Sequence, residues 1–293
     1  MAHKAGFVNI VGNSNVGKST IMNALVGEKL SIITSKAQTT RHRIMGIMNG
    51  DDFQIVYSDT PGVLKPNHKL QESMLKMAVS ALEDADIVLY VTDVNETIDK
   101  NRDFLNKINE LGEPVIVLVN KIDLADQEIV TKRCEKWHEL LPKAEIIPLS
   151  ALKNFNIDTL FKGILKMLPI SPPYFPKDQI SDKSERFFAA EIIREKVLLN
   201  YRQEIPYSVE VAVEEFHEAD DILRIRALIF VERDSQKGII IGHKGEAIKK
   251  VGTMARKEME VFFDNKVFLE LFVKVHKDWK DNPNYLRRFG YSV

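Results

Sequence analysis

The sequence predicts two domains: a larger α/β domain with a mostly parallel sheet, then a smaller α+β domain. Three observations carry this expectation. Short apolar runs alternate with amphipathic stretches through residues 1–168, a proline-rich break follows at 169–182, and the order of the periodic segments changes over 183–293. Alternating strand and helix signals imply parallel strands with helices on both faces. The domains are therefore placed at 1–168 and 183–293, with 169–182 as an extended, semi-rigid linker.

In the first domain the candidate strands are 7–11, 43–48, 53–58, 86–92, 114–119 and 145–148. The candidate helices are 18–26, 70–83, 100–111, 129–140 and 157–168. Only the turn Asn49-Gly50-Asp51-Asp52 separates the second and third strands, so they form an antiparallel hairpin within the otherwise parallel sheet. Pro169, Pro172, Pro173 and Pro176 then fall within eight residues, which neither a helix nor a central strand tolerates. Beyond them the pattern reads as a helix at 184–200, with Ser184 or Asp182 as N-cap, and strands at 207–215 and 222–231. A short helical turn, a long helix at 246–263 and a strand at 267–276 complete the order.

The chain has 293 residues, with 41 Lys and Arg against 42 Asp and Glu. Net charge therefore selects no partner, and any nucleic-acid surface must be a local patch. Cys134 is the one cysteine, so no internal disulfide forms and a reducing cytoplasm is expected. Met1 to Gly6 lack an apolar targeting core, and no apolar run approaches the ~20 residues of a membrane span.

Gly12-Asn13-Ser14-Asn15-Val16-Gly17-Lys18-Ser19 matches the phosphate-loop pattern between a strand and a helix, and Thr20 continues it. Glycines let backbone N–H groups close around phosphate oxygens, and the helix N-terminus adds positive potential. Lys18 is expected at the β- and γ-phosphates and Ser19 on Mg²⁺. Asn120-Lys121-Ile122-Asp123, at the end of a strand, selects guanine: the two oxygens of Asp123 match N1–H and the exocyclic N2–H₂. Asn120 and the Lys121 stem hold the loop and cover the base, and Ser150-Ala151-Leu152 closes over it. Asp59-Thr60-Pro61-Gly62 ends the third strand, placing Asp59 toward Mg²⁺ and the Gly62 N–H toward a γ-phosphate. The polar stretch 35–43 lies where a threonine, Thr39 or Thr40, could contact both Mg²⁺ and the γ-phosphate. GTP or GDP with Mg²⁺ is thus the expected cofactor set. The position after Gly62 is Val63, which cannot orient an attacking water, so no general base is assigned.

In the second domain Ile240-Ile241-Gly242-His243-Lys244-Gly245-Glu246-Ala247-Ile248 matches the KH pattern of RNA-binding modules. Gly242, His243, Lys244 and Gly245 would clamp the RNA backbone, with Lys249 and Lys250 beside them in a local basic patch. Trp279, Tyr285 and Tyr291 are candidates for base stacking, set against packing within their own domain.

The order and spacing of these elements, together with 38–43, Arg194-Glu195-Lys196 and the aromatic, basic tail from Val273 to Tyr291, resemble the Era family of GTPases. That resemblance spans roughly residues 6 to 291. It favours Thr40 over Thr39 as magnesium ligand, and puts Thr40 and Lys18 in the catalytic set. It implies binding near the 3′ end of small-subunit ribosomal RNA, a role in assembling that subunit, and a peripheral contact at the inner face of the cell membrane. A monomer is expected. Nucleotide state is expected to act through the switch segment, with the linker as a carrier of the coupling. Asn15 stands where related potassium-dependent GTPases carry Asn; that resemblance implies either a K⁺ ion beside the phosphates or an Asn15 that only braces the loop. A metabolic phosphate-loop kinase is disfavoured by Asn120-Lys121-Ile122-Asp123. A lipid-anchored signalling GTPase is disfavoured because 290–293 contain no Cys.

Overall fold

A computed structural model describes residues 2–97, 101–219 and 221–292. Lys100, the expected first residue of the third helix, lies outside them. The chain divides into two compact units. The first comprises Met1–Ser31, Thr40–Asn67 and Gln71–Asp182, and the second Ile32–Thr39, His68–Leu70 and Lys183–Val293.

The first unit is built on six strands: β1 (Lys4–Gly12), β2 (Ile44–Asn49), β3 (Phe53–Asp59), β4 (Ile87–Asp93), β5 (Val115–Asn120) and β6 (Glu145–Pro148). Their order is β2-β3-β1-β4-β5-β6, parallel except for the hairpin β2/β3. The connecting helices are α1 (Lys18–Val26), α2 (Lys69–Glu83), α3 (Arg102–Asn109), α4 (Gln127–Leu140) and α5 (Ile157–Met167). Residues 87–91 and 115–119 read as continuous apolar runs because both sheet faces are covered. Val88, Tyr90, Val117 and Val119 share one core with Ala78, Leu82, Ile108 and Trp137, and the Tyr90 and Trp137 rings lie 5.3 Å apart. The loops after β1, β3, β4 and β5 gather at the carboxyl end of the parallel sheet, where such folds bind ligands.

Residues 169–182 are not a free linker. They run along the sheet of the first unit: Ala5 N–H donates to Pro169 O, Ile47 N–H to Ile180 O and Met45 N–H to Asp182 Oδ1. The side-chain oxygen of Gln54 accepts from the N–H groups of Tyr174 and Phe175 at 2.7 and 3.0 Å. The physical reason is the edge strand β2, whose outward N–H groups need acceptors. Prolines cannot donate, but their segment still offers carbonyls.

The second unit contains α6 (Glu185–Asn200), the short turn α7 (Ile205–Ser208), β7 (Glu210–Ala219), β8 (Ile222–Val231), α8 (Asp234–Ile241), α9 (Glu246–Phe262), β9 (Val267–Val275) and α10 (Pro283–Arg288). Its sheet order is β7-β8-β9, with β7/β8 antiparallel and β8/β9 parallel. A parallel neighbour demands a crossover, which α8 and α9 provide. Tyr207 and Ser208, expected to open a strand, are helical instead, because Pro206 fits the first turn of a helix.

The aromatic tail packs inward. Trp279 is 0% exposed and donates its indole N–H to Ser208 O at 3.0 Å, while Tyr291 donates its hydroxyl to Glu210. The Tyr285 and His276 rings lie 4.3 Å apart, tilted by 41°. Of the two readings of Trp279 and Tyr291, packing within their own domain is the one observed: both rings are buried and both polar atoms satisfied. Trp279→Ala is expected to destabilise the protein by about 3–5 kcal/mol, read by denaturant unfolding of the full chain. A loss within about 0.5 kcal/mol, typical of a surface site, would show that the tail does not contribute to the core.

Candidate functional site

The phosphate loop runs from the end of β1 into α1. Gly17 adopts φ 103°, and a side chain there would collide with the amide of Asn120. Glycine is therefore needed both for the turn and for the approach of the base-binding loop. Asn120 Nδ2 donates to Val16 O at 2.8 Å, and its Oδ1 accepts from Ala151 N–H at 3.1 Å, so one side chain joins the phosphate loop to the segment after β6. Lys121, in the left-handed region, sends its ammonium to Asn15 O and to Asp93 Oδ2 at 2.7 Å. Asp123 is braced by the Ser150 hydroxyl at 2.5 Å.

Lys18 is buried and donates to Gly12 O at 3.1 Å and Asn13 O at 2.7 Å, the loop carbonyls nearest it. Burial lowers its ammonium well below the ordinary lysine range, to about 8, while the carboxylates of Asp59 and Glu96 hold it up. Ser19 Oγ lies 2.8 Å from Thr40 Oγ1 and donates to Asp59 Oδ2 at 2.6 Å. Asp59 is 0% exposed, and its other oxygen, Oδ1, is buried without a hydrogen-bond partner. Burial raises this carboxyl, opposed by Lys18 and by hydroxyl donors. An orphaned buried carboxylate oxygen beside two hydroxyls fits a hard dication that takes its remaining ligands from phosphate and water. Among the described residues no three His, Cys, Asp or Glu side chains cluster as a metal cage. Thr39 is placed differently: its hydroxyl meets Thr34 and Lys36 O.

Several residues at this site carry no linear signal. Glu96 accepts from Thr92 at 2.8 Å and from Asn13, while Asn101 donates to Asn13. Arg133 on α4 fixes the same turn through Glu96 O and Val94 O. The rule that strand ends hold ligands points to the end of β4, but not to these side chains.

In the second unit Gly242 adopts φ 71°, and a Cβ there would come 2.6 Å from that of Ala247. The turn His243–Gly245 leads into α9, with His243, Lys244, Lys249 and Lys250 exposed. Beside it, Ile248, Lys249, Gly252, Thr253, Arg256, Leu269 and Leu271 line a groove of about 260 Å³ between α9 and β9. Ile248, Leu269 and Leu271 supply its apolar lining and Lys249, Thr253 and Arg256 its polar lining, with Arg256 paired to Glu260.

The segment Ile32–Thr39 of this unit is pinned to α6. Arg194 donates to Thr39 O at 2.5 Å and pairs with Glu191. Glu195 accepts from Ile33 N–H at 3.2 Å, and Lys36 donates to the carbonyls of Leu198 and Tyr201 at the end of α6. From α6, Lys196 bridges Glu195 to Glu258 on α9, and the Tyr201 hydroxyl donates to Ile240 O, two residues before Gly242, at 2.7 Å.

Only protonated Lys18 can pair with phosphates. The affinity of the nucleotide-free protein for GTP is therefore expected to be full below about pH 8 and to fall as pH rises through that value. Titrating the dissociation constant across this range checks it, and a flat profile would contradict the assigned contact.

A family model described as 50S ribosome-binding GTPase matches residues 7–121, and one described as KH domain matches 204–280. GTPase Era of Staphylococcus haemolyticus (strain JCSC1435) is 43% identical over 291 residues, covering 99% of this chain and 97% of that protein. A crystal structure of Era in complex with MgGDPNP and nucleotides 1506–1542 of 16S ribosomal RNA superposes with a TM-score of 0.95 at 43% identity, covering 99% of this chain and 100% of that one. A variant of Aquifex aeolicus Era bound to GDP·AlF4⁻ gives the same TM-score, identity and coverage. A phosphate loop, a guanine-selecting loop and a KH turn thus lie in one chain with relatives across its whole length, and the chain belongs to the Era family of GTPases.

Proposed function

We propose that this GTPase binds small-subunit ribosomal RNA near its 3′ end, assists assembly of that subunit, and uses GTP hydrolysis to change its hold on the RNA. The observation that carries this reading is one chain holding both the phosphate-loop and Asn120–Asp123 constellation and, beside the Gly242–Gly245 turn, a groove lined by Ile248, Lys249, Arg256, Leu269 and Leu271. Exposed bases would lie on Ile248, Leu269 and Leu271, and phosphates would meet the turn amides and lysines. The solved Era complex with a 16S ribosomal RNA segment supports the choice of RNA.

Mg²⁺ would be held by Ser19, Thr40 and Asp59, and would neutralise charge on the β- and γ-phosphates. Lys18 and the loop amides would stabilise the charge that develops as the γ-phosphoryl group leaves. Gly12, Asn13, Val16, Gly17 and Thr20 shape the loop. Asp123 would read the base, with Ser150 and Ala151 bracing that side. Gly62 would register the γ-phosphate. Thr40 directly follows Thr39, whose carbonyl is held by Arg194, so a pull on Thr40 toward a cation is felt along α6. This segment, rather than 169–182, is the better carrier of coupling. Asn15 would help hold a K⁺ ion by the phosphates, a reading that equal hydrolysis rates in potassium and sodium would remove.

Cytoplasmic residence, a monomeric state and a peripheral membrane contact rest on the family resemblance. No helix of the described residues is long and apolar enough to cross a membrane.

Gly242→Asp and Lys244→Glu each put negative charge where phosphates approach. Each is expected to weaken binding of a small-subunit 3′-end RNA about tenfold or more at low salt, with GTP affinity unchanged. Fluorescence anisotropy with labelled RNA and nucleotide measures both. Wild-type RNA affinity in the two variants would place RNA binding elsewhere.

A further inference from the structure

Hydrolysis needs a group that holds the attacking water, and the residue after Gly62 does not supply it. Val63 is 7% exposed, belongs to the apolar core with Val11, Ala78 and Val88, and donates its N–H to Gly12 O at 3.0 Å. Nearby polar side chains are committed. Lys18 is held by loop carbonyls, and Ser19, Thr40 and Asp59 meet one another. Asn13 is engaged by Glu96 and Asn101, and Asn120 by Val16 and Ala151.

Ser14 differs. It is half-buried, and its hydroxyl makes no hydrogen bond to any described residue. It also faces Gly62 at close range. A Cβ built on Gly62 would come 2.7 Å from both N and Cα of Ser14, and closer still to its hydroxyl. The hydroxyl therefore lies beside the glycine whose N–H would meet the γ-phosphate, on the phosphate loop itself.

We propose that Ser14 is a catalytic residue of GTP hydrolysis, its hydroxyl accepting a hydrogen bond from the attacking water while donating one to a γ-phosphate oxygen. The proposal rests on the nucleotide-site reading given above. A hydroxyl carries one donor and two acceptor lone pairs, so it can do both at once. The water oxygen forms a bond to the γ-phosphorus as the bond from that phosphorus to the bridging β,γ-oxygen breaks. The electron pair of the broken bond leaves on GDP. A water proton passes to the Ser14 oxygen as the serine proton passes to the γ-phosphate oxygen, and Ser14 ends unchanged. Gly62 keeps this place open, because any side chain there would displace the hydroxyl.

The test compares wild type with Ser14→Ala in three measurements on the full chain. These are single-turnover GTP hydrolysis, affinity for a non-hydrolysable GTP analogue, and affinity for GDP with aluminium fluoride as a mimic of the transferring phosphoryl group. Hydrolysis is expected to fall about tenfold or more, in the range of a lost proton-transfer partner. Affinity for GDP with aluminium fluoride falls with it, while the GTP analogue binds within about twofold of wild type, because the bond to the γ-phosphate oxygen is weak in the ground state and both Ser14 hydrogen bonds strengthen in the transition state. An unchanged hydrolysis rate in Ser14→Ala overturns the proposal, and so does an equal loss of affinity for both analogues. Failure of the wild type to bind or cleave GTP would remove the nucleotide-site reading itself, and this proposal with it.

Discussion

The peptide bond between Thr39 and Thr40 joins two hydrogen-bond systems that answer to different ligands. Thr40 stands with Ser19 around the buried carboxylate of Asp59, where a cation and a γ-phosphate would draw it in. The carbonyl of Thr39 belongs to Arg194, deep in a helix of the RNA-binding unit. Adjacent α-carbons across a trans peptide stay about 3.8 Å apart, so a shift of Thr40 larger than one peptide unit can absorb must draw on the Thr39 carbonyl that Arg194 holds.

The α6 ion pairs make that constraint stiff. Arg194 with Glu191, and Lys196 with Glu195, are charges taken almost fully out of water, and Lys196 also reaches the partly exposed Glu258. Buried pairs add little net stability. Removing one partner, however, leaves an uncompensated charge at a cost of about 3–5 kcal/mol, which makes their arrangement specific rather than loosely adhesive. Glu258 lies on the helix that also carries Lys249 and Arg256, and Tyr201 reaches the residue two before Gly242. Ile32–Thr39 is thus connected through α6 to α9 and to Ile240 by hydrogen bonds and ion pairs.

Much of this was legible in the sequence wherever chemistry is local. The phosphate loop, Asn120-Lys121-Ile122-Asp123 and Gly242–Gly245 are runs of neighbours whose backbone and side chains act together. The strand and helix periodicities placed them on the correct elements. Chain neighbours did not reveal Glu96 and Asn101 at the phosphate loop, because β4 and its following turn bring them there. The docking of residues 169–182 has no sequence signal for a related reason: proline spacing reports what a segment cannot donate, not which edge strand needs its carbonyls. That Trp279 and Tyr291 pack within their own domain is the common behaviour of such aromatics, but the partners Ser208 and Glu210, about 70 to 80 residues away, are set by the fold.

The claim that the switch segment ties nucleotide state to RNA affinity is tested most directly by one ratio. The affinity for a small-subunit 3′-end RNA is measured with a non-hydrolysable GTP analogue and again with GDP, in wild type and in Lys36→Ala, which removes the tether to the end of α6. The account predicts a wild-type ratio of about tenfold or more, equivalent to about 1.4 kcal/mol of coupling, that collapses toward one in the variant. A wild-type ratio of one, or a ratio untouched by Lys36→Ala, would contradict it.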